Sequence, residues 1–215
     1  MAWTYQQLFN GLTTADLNGQ DSWSGSTSFD VSTTSPYEGA KCVACVLESD
    51  TSVEISRSVT GVSAGVFYVS IKIGRTAGMR RGSIQIYSGA TMVGRVFAQY
   101  DGGSNNNIRM LTNDGATWIS LGSSVPDTWY RIGFEYDNAS QPNKYRTNLD
   151  GGAFTSWYGM FGSPTWTNVD KIEFSDQGNN GSGTGTMYWD TVSPDYTPSE
   201  PVTTNANFLQ FMGPQ

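Results

Sequence analysis

Apolar and polar residues alternate along most of this chain, and no stretch repeats with the period of a helix. In residues 66–73 the apolar side of the alternation consists of Phe67, Val69, Ile71 and Ile73. In residues 129–137 it consists of Tyr130, Ile132, Phe134 and Tyr136. Because successive side chains of a strand point to opposite faces, the pattern predicts sheets with one buried and one solvent-facing side.

Turn residues divide the alternating pattern into many short strands. Residues 10–26 are expected to form a loop, and the predicted strands cover residues 3–9, 27–32, 40–48, 52–59, 64–75, 82–88, 91–100, 107–112, 116–121, 128–137, 143–149, 153–157, 170–176 and 184–193. Asn-Gly and Asp-Gly pairs between them supply the positive φ angles that hairpins need. So many strands at short spacing predict an all-β fold of two packed antiparallel sheets.

The character of the chain changes after Ser193. The sequence predicts one β-sandwich domain over residues 1–193, followed by a proline-containing linker and an extended C-terminal tail over 194–215. The apolar residues of the tail are Phe208, Leu209, Phe211 and Met212. Since apolar side chains are costly to expose, the tail is expected either to lie on its own domain or to dock on other protein subunits, as in a homo-oligomer.

The charge balance narrows the choice of partners. The formal net charge is −7, and an acidic chain repels phosphate backbones, so nucleic acid is not an expected partner. Arg75, Arg80 and Arg81 form one basic cluster, which we expect in an exposed loop. No apolar run is long enough to cross a bilayer, and no signal peptide is visible. We therefore expect no membrane partner.

The scarcity of reactive side chains limits the chemistry. The chain has no histidine and only two cysteines, Cys42 and Cys45, which excludes a Ser-His-Asp triad and an ordinary zinc site. The carboxylate series Glu48, Asp50 and Glu54 falls across a predicted turn, and Glu135 with Asp137 shares one strand face beside Arg131. Glycoside hydrolysis needs two carboxylates flanking the scissile bond. We expect these acids to be solvated strand residues and the chain to be no enzyme.

Aromatic residues in the predicted loops are candidates for binding a sugar. A flat ring and a few amide hydrogen bonds suffice for that task, and the candidates are Trp118, Trp157, Tyr158, Trp166 and Asn106. Large aromatic side chains are more often buried than exposed. The alternative is that these rings close one end of the sandwich core.

Several motifs in order resemble a known family. They are the stretches 9–20 with Ser22-Trp23, 37–43, 129–132, 149–152 and 187–192. Together they resemble concanavalin A-like and laminin G-like jelly rolls, among them many non-catalytic carbohydrate-binding modules, over about residues 3–193. The resemblance implies a two-sheet antiparallel jelly-roll sandwich, and that fold hosts lectins, enzymes and structural proteins alike.

The same resemblance implies one structural calcium ion between the first and last strands. Gly39 and Asp190 match the family's glycine and last-strand acid, while Asn10 stands where the family has an acid. An asparagine oxygen can ligate calcium but brings no charge. Asp190 is alternatively a hydrogen-bonded strand residue.

Resemblance and elimination together give the functional expectation. We expect a non-enzymatic binding or assembly module at a virion or extracellular surface, such as a phage capsid decoration, turret or fibre, with possible carbohydrate binding. One alternative is a secreted carbohydrate-binding module of a larger enzyme. A glycan-cleaving hydrolase or lyase is the other.

Overall fold

Strands account for the regular structure of the chain. The computed structural model describes residues 3–46, 52–74, 80–101, 106–112, 118–160, 163–177 and 185–196, with only the backbone of residue 80. Within these ranges the strands are β1 Trp23–Gly25, β2 Phe29–Ser32, β3 Cys42–Val46, β4 Val53–Val62, β5 Ala64–Ile73, β6 Arg80–Ser88, β7 Thr91–Tyr100, β8 Asn107–Leu111, β9 Trp118–Gly122, β10 Trp129–Asp137, β11 Lys144–Leu149, β12 Tyr158–Gly159, β13 Val169–Gln177 and β14 Thr186–Ser193.

The strands form two sheets of seven. Sheet A has the order β1-β4-β13-β6-β7-β8-β9, and sheet B has the order β12-β11-β10-β5-β14-β3-β2. Every pair of neighbouring strands is antiparallel. The predicted all-β, two-sheet antiparallel sandwich is therefore confirmed.

The apolar side of the alternation fills the space between the sheets. Phe67, Ile71, Ile132 and Phe134 are at most 1% exposed, as the sequence predicts. Phe174 of sheet A stacks on Trp189 of sheet B with ring centroids 5.6 Å apart. Burial of a large apolar side chain stabilises the fold by about 1.5–3 kcal/mol, so contacts of this kind hold the two layers together.

Three predicted elements differ in the structure. The predicted strand 3–9 makes only an isolated bridge, at Gln7 opposite Val192. Its partner β14 carries an irregularity between Asp190 and Ser193, where Thr191 has a φ of 47°, and the ladder is interrupted there. The predicted loop 10–26 contains β1, and the predicted strand 153–157 is replaced by β12.

The beginning of the C-terminal segment lies against sheet B. The ring of Tyr196 packs edge-on against Tyr68, with centroids 5.6 Å apart. The predicted partner-binding residues Phe208, Leu209, Phe211 and Met212 fall outside the described residues. No helix in the described part of the chain has the length and hydropathy to span a bilayer.

Candidate functional site

A band of polar and aromatic side chains covers the outer side of sheet A, opposite the core. We call it the sheet A face, and its members are Glu54, Arg81, Ser83, Gln85, Tyr87, Arg95, Phe97, Gln99, Arg109, Trp118, Glu173 and Ser175. Strand pairing places Ser83, Phe97 and Arg109 in one row across three strands. The strands thus bring residues distant in sequence onto one surface.

The sheet A face is unusually crowded for a polar surface. Ser83, Gln85, Gln99, Glu173 and Ser175 are all at most 5% exposed. The alternation alone would leave these positions in water. The hydroxyl of Ser175 lies buried without a hydrogen-bond partner, and buried polar atoms are normally paired.

One end of the sheet A face is acidic. The Tyr87 hydroxyl donates to Glu173 Oε1 at 2.7 Å, and Lys171 Nζ lies 3.4 Å from Glu173 Oε2. Burial, and then the hydrogen bond to Glu173, raises the pKa of Tyr87. Glu54 lies on the adjacent strand, and partial burial followed by the charge of Glu173 raises its pKa.

The other end is basic and is built around two aromatic rings. The guanidinium carbons of Arg95 and Arg81 lie 4.0 and 5.1 Å from the Phe97 ring centroid. Arg109 lies 4.4 Å from the Trp118 centroid and donates to Gln99 Oε1 at 2.8 Å. We call Arg81, Arg95 and Arg109 the arginine cluster.

Burial and mutual repulsion both affect the arginine cluster. Burial lowers the pKa of Arg95 to about 10, with a further contribution from Arg81. Burial also lowers the pKa of Arg81, as does its neighbour Arg109. All three groups remain charged at neutral pH, so like charges are held together beside aromatic rings.

Only part of this face could be predicted from the sequence. Arg81 was expected in a loop, but β6 begins at Arg80, and Arg81 therefore lies within the sheet. Arg75 lies outside the described residues. The sequence feature that could have indicated this face is a series of polar and aromatic residues on the non-core side of a strand, as in Arg95, Phe97 and Gln99 of β7. Aromatic side chains at such positions indicate a surface on which side chains pack against one another rather than one that is fully solvated.

Two of the predicted sugar-binding residues lie on or near this face. Trp118 is half-buried in β9 and packs edge-on against Phe97, with centroids 4.9 Å apart. Asn106 directly precedes β8, and its Oδ1 accepts a hydrogen bond from the Asp101 amide at 3.0 Å. Trp118 is thus the predicted aromatic residue that contacts the arginine cluster.

The other three predicted residues lie elsewhere. Trp157 and Tyr158 are half-buried at the β12 edge of sheet B, where the Arg146 guanidinium lies 4.5 Å from a Trp157 ring centroid. Trp166 is 5% exposed and packs edge-on against Tyr136 in the core. The aromatic residues therefore do not form one platform, because the fold sends them to different sheets.

Two of the five carboxylates considered for catalysis are engaged in hydrogen bonds or an ion pair. Glu135 Oε2 accepts from Arg146 Nε at 2.8 Å. Asp137 accepts the amides of Ala139 and Ser140 in a turn, and the hydrogen bonds from Ser140 lower its pKa. Glu54 lies on the sheet A face, while Glu48 and Asp50 lie outside the described residues.

The three residues implied as calcium ligands surround one loop. Asn10 Oδ1 accepts the amides of Ala40 and Lys41 at 2.6 and 2.9 Å. Asp190 Oδ2 accepts the amides of Tyr37 and Glu38 at 2.8 and 3.2 Å. Gly39 has a φ of 67°, and a Cβ there would lie 2.1 Å from the Asn10 Nδ2 atom, so only glycine fits.

This arrangement does not fit a calcium ion. Calcium needs six to eight oxygen ligands, usually with carboxylates, whereas the oxygens of Asn10 and Asp190 already accept backbone N–H groups. The ammonium group of Lys41 donates to the carbonyl of Leu12 and places a positive charge in the same corner. Among the described residues, no three Asp, Glu, Cys or His side chains converge to hold a metal.

We accordingly expect calcium to leave the stability of the protein unchanged. The oxygens that would bind it are already hydrogen-bonded, so millimolar CaCl₂ or EDTA should shift the melting temperature by less than about 1 °C, whereas a stabilising ligand at 100 Kd adds about 2.7 kcal/mol. Differential scanning calorimetry measures the shift. A saturable rise in melting temperature, lost in Asp190→Asn, would restore the calcium site that the resemblance implies.

Comparison with known proteins identifies the fold. No protein-family model matches the sequence, and no curated protein matches it. A sialidase structure matches 89% of this chain at 10% identity and a TM-score of 0.63, and the chain covers 18% of it. A carbohydrate esterase from a Shiga toxin-encoding bacteriophage matches 88% of the chain and 98% of its own length, at 13% identity and a TM-score of 0.58.

Two further structures with the same fold are an enzyme and a binding module. The β-glucanase of Bacillus licheniformis matches 88% of this chain and 96% of its own length, at 15% identity and a TM-score of 0.56. A carbohydrate-binding module from Bacillus subtilis matches 80% and 93%, at 14% identity and a TM-score of 0.51. The names of these neighbours refer to glycans, and the likeness shows a jelly-roll fold that enzymes and binding modules share.

Proposed function

We propose that this chain is a non-enzymatic glycan-binding module and that the sugar lies on the sheet A face. The observation that carries the proposal is the combination of aromatic, amide and charged side chains across neighbouring strands of one sheet. Sugars are recognised by flat rings and by hydrogen-bonding side chains, and the half-buried Trp118 and Arg109 offer both kinds of contact. The glycan-related names of the structural neighbours support the same class of ligand.

One observation favours hydrolysis as a second candidate. Glu54 and Glu173 lie on adjacent strands of the sheet A face, and the pKa of Glu54 is raised by partial burial and by Glu173. A glycosidase uses such a pair, one carboxyl as acid and the other as base or nucleophile. Against this role, Glu173 is 5% exposed and already bonded to Tyr87 and Lys171.

The first test of glycan binding compares two tryptophans. Trp118→Ala removes a half-buried ring from the sheet A face, and we expect it to weaken glycan binding by about tenfold or more, as is usual for a central aromatic contact. Trp157→Ala is the matched control, because that ring also lies beside an arginine but directly precedes β12, at the edge of sheet B. A glycan array followed by calorimetry on the best ligand measures both.

The outcomes separate the candidates. Loss of binding in Trp157→Ala alone would move the site to sheet B, and an array without any bound glycan would remove the proposed function. Release of reducing ends from a bound polysaccharide, abolished in both Glu54→Gln and Glu173→Gln, would establish the hydrolase instead.

We also propose that this module acts at a virion or extracellular surface and assembles with other subunits. The support is the apolar tail over 208–212, because such side chains are costly to leave in water. The phage origin of one structural neighbour is compatible with this placement.

A further inference from the structure

The arginine cluster has more hydrogen-bond donors than the protein uses. The Nε atoms of Arg81 and Arg109 are buried without a hydrogen-bond partner. Within the described part of the chain, Arg95 donates to Ser83 Oγ alone, from two nitrogens at 3.3 and 3.4 Å. Each guanidinium carries five N–H donors, and leaving buried donors unpaired costs free energy. The cluster is therefore built for acceptors that come from outside the described protein.

These donors also lack a direct ion pair within the described residues, although the more distant Glu54 and Glu173 attract Arg95. Within the described residues, no carboxylate oxygen lies within 4 Å of the three guanidinium groups. The whole chain has a formal net charge of −7, so a cluster of three positive charges is opposite in sign to the chain as a whole. Since Arg81 and Arg95 flank the same Phe97 ring, strand pairing enforces their approach despite repulsion. An arriving anion would relieve it.

We propose that the arginine cluster binds the acidic group of an anionic glycan, a sugar carboxylate or a sulfate ester. The inference rests on the proposed glycan-binding function and adds the chemical class of the ligand. Guanidinium groups bind such planar or tetrahedral oxyanions through two parallel hydrogen bonds. The sheet A face also fixes the direction of the ligand, because its opposite end carries Glu54 and Glu173 and would repel a second acidic group there.

The test compares acidic glycans with neutral versions of the same backbone. One pair is oligogalacturonate and its methyl ester, and the other is heparin oligosaccharide and its desulfated form. We expect the protein to bind the acidic member of at least one pair about tenfold more tightly, an advantage that falls with added salt. Isothermal titration calorimetry gives the affinities, and the pair that shows the preference identifies carboxylate or sulfate.

Two matched variants locate the effect. Arg109→Gln should reduce the acidic preference about tenfold, and Arg146→Gln should leave it unchanged, because both guanidinium groups lie over a tryptophan but on different sheets. Arg109→Lys keeps the charge without the two-pronged donor geometry and should recover only part of the preference. Melting temperatures verify that the variants fold.

Each result decides between the two proposals. Equal affinity for acidic and neutral members would overturn the anionic ligand while leaving glycan binding in place. The same holds for an acidic preference that survives Arg81→Gln and Arg109→Gln together. If neither pair binds while the array finds another, neutral glycan, the anionic inference alone fails.

Discussion

Replacing Arg131 by methionine should destabilise the protein by about 3–5 kcal/mol, because several buried acceptors lose a charged hydrogen-bond donor at about 1–3 kcal/mol each. Arg131 is 1% exposed, on β10. Its guanidinium donates to Ser193 Oγ at 2.6 Å, Ser70 Oγ at 3.2 Å, and the carbonyls of Thr191, Asp195 and Tyr196. Methionine fills part of the volume but leaves these buried acceptors unpaired.

Loss of the Arg131 hydrogen bonds should also affect the C-terminal segment. Burial lowers the pKa of Arg131 to about 10, so the group stays charged at neutral pH and ties residues 193–196 to sheet B. We expect Arg131→Met to release this segment, and hydrogen exchange at Tyr196 to accelerate. Arg131→Lys should recover little, because a single ammonium group cannot reach carbonyls on several sides.

Urea unfolding at neutral pH measures the effect. The control is Arg146→Met on the neighbouring strand, whose ion pair with Glu135 is partly exposed and should contribute at most about 1 kcal/mol. Equal losses in the two variants, or a loss below about 1 kcal/mol for Arg131→Met, would mean that water replaces the buried donor at little cost.

The sequence predicted best the strands whose apolar residues alternate without interruption. β5 and β10 follow the alternation within two residues of the predicted bounds, and their apolar positions are the inner ones. Local sequence suffices there because hydrophobic burial and the two-residue period of a strand agree. The N-terminal segment has a similar local pattern but no strand, since its pairing depends on the irregular end of β14, far away in sequence.

The candidate site depended on information that local sequence does not contain. Arg81, Arg95 and Arg109 are separated by turns, and only the pairing register of β6, β7 and β8 brings them around Phe97. A shift of one residue in either pairing would send one of them to the core side. Individual residues such as Trp118 could be proposed from composition, but their grouping could not.

The family resemblance indicates which residues lie together at one corner of the fold, but not which groups contact their oxygens. Asn10, Gly39 and Asp190 do surround the loop over residues 37–41, as the family pattern implies. Backbone amides occupy the oxygens of Asn10 and Asp190 instead of leaving them for a metal. Which groups contact the oxygens of a buried carboxyl group depends on loop geometry, and motif spacing does not record that.

The carboxyl group of Asp190 should make the folded protein lose stability as pH rises toward neutrality. Asp190 is fully buried, and burial raises its pKa from 3.8 to about 7 against the opposing effect of hydrogen bonds from Glu38, Tyr37 and Thr191. Between these values the folded state holds a proton that the unfolded state has released. The contribution of this proton to the free energy of unfolding is therefore greatest below pH 3.8. It falls by up to about 1.4 kcal/mol per pH unit until pH passes 7.

The measurement compares the wild-type protein with Asp190→Asn by urea unfolding at several values between pH 5 and 8. Asparagine has nearly the same shape and does not titrate, so the difference in unfolding free energy should move against the wild type by about 1–3 kcal/mol across this range. Other acids cancel in the difference. Only the pH dependence is interpreted, because the asparagine amide also disturbs the N–H groups of the loop.

Ser70→Ala is the control for a general response of this corner to mutation. Ser70 pairs across the sheet with both Asp190 and Arg131 and has no titrating group, so its difference from the wild type should not change with pH. A pH-independent difference for Asp190→Asn would count against a raised pKa. A difference that moves in favour of the wild type would mean that the N–H donors and Arg131 outweigh burial and hold this carboxylate ionised.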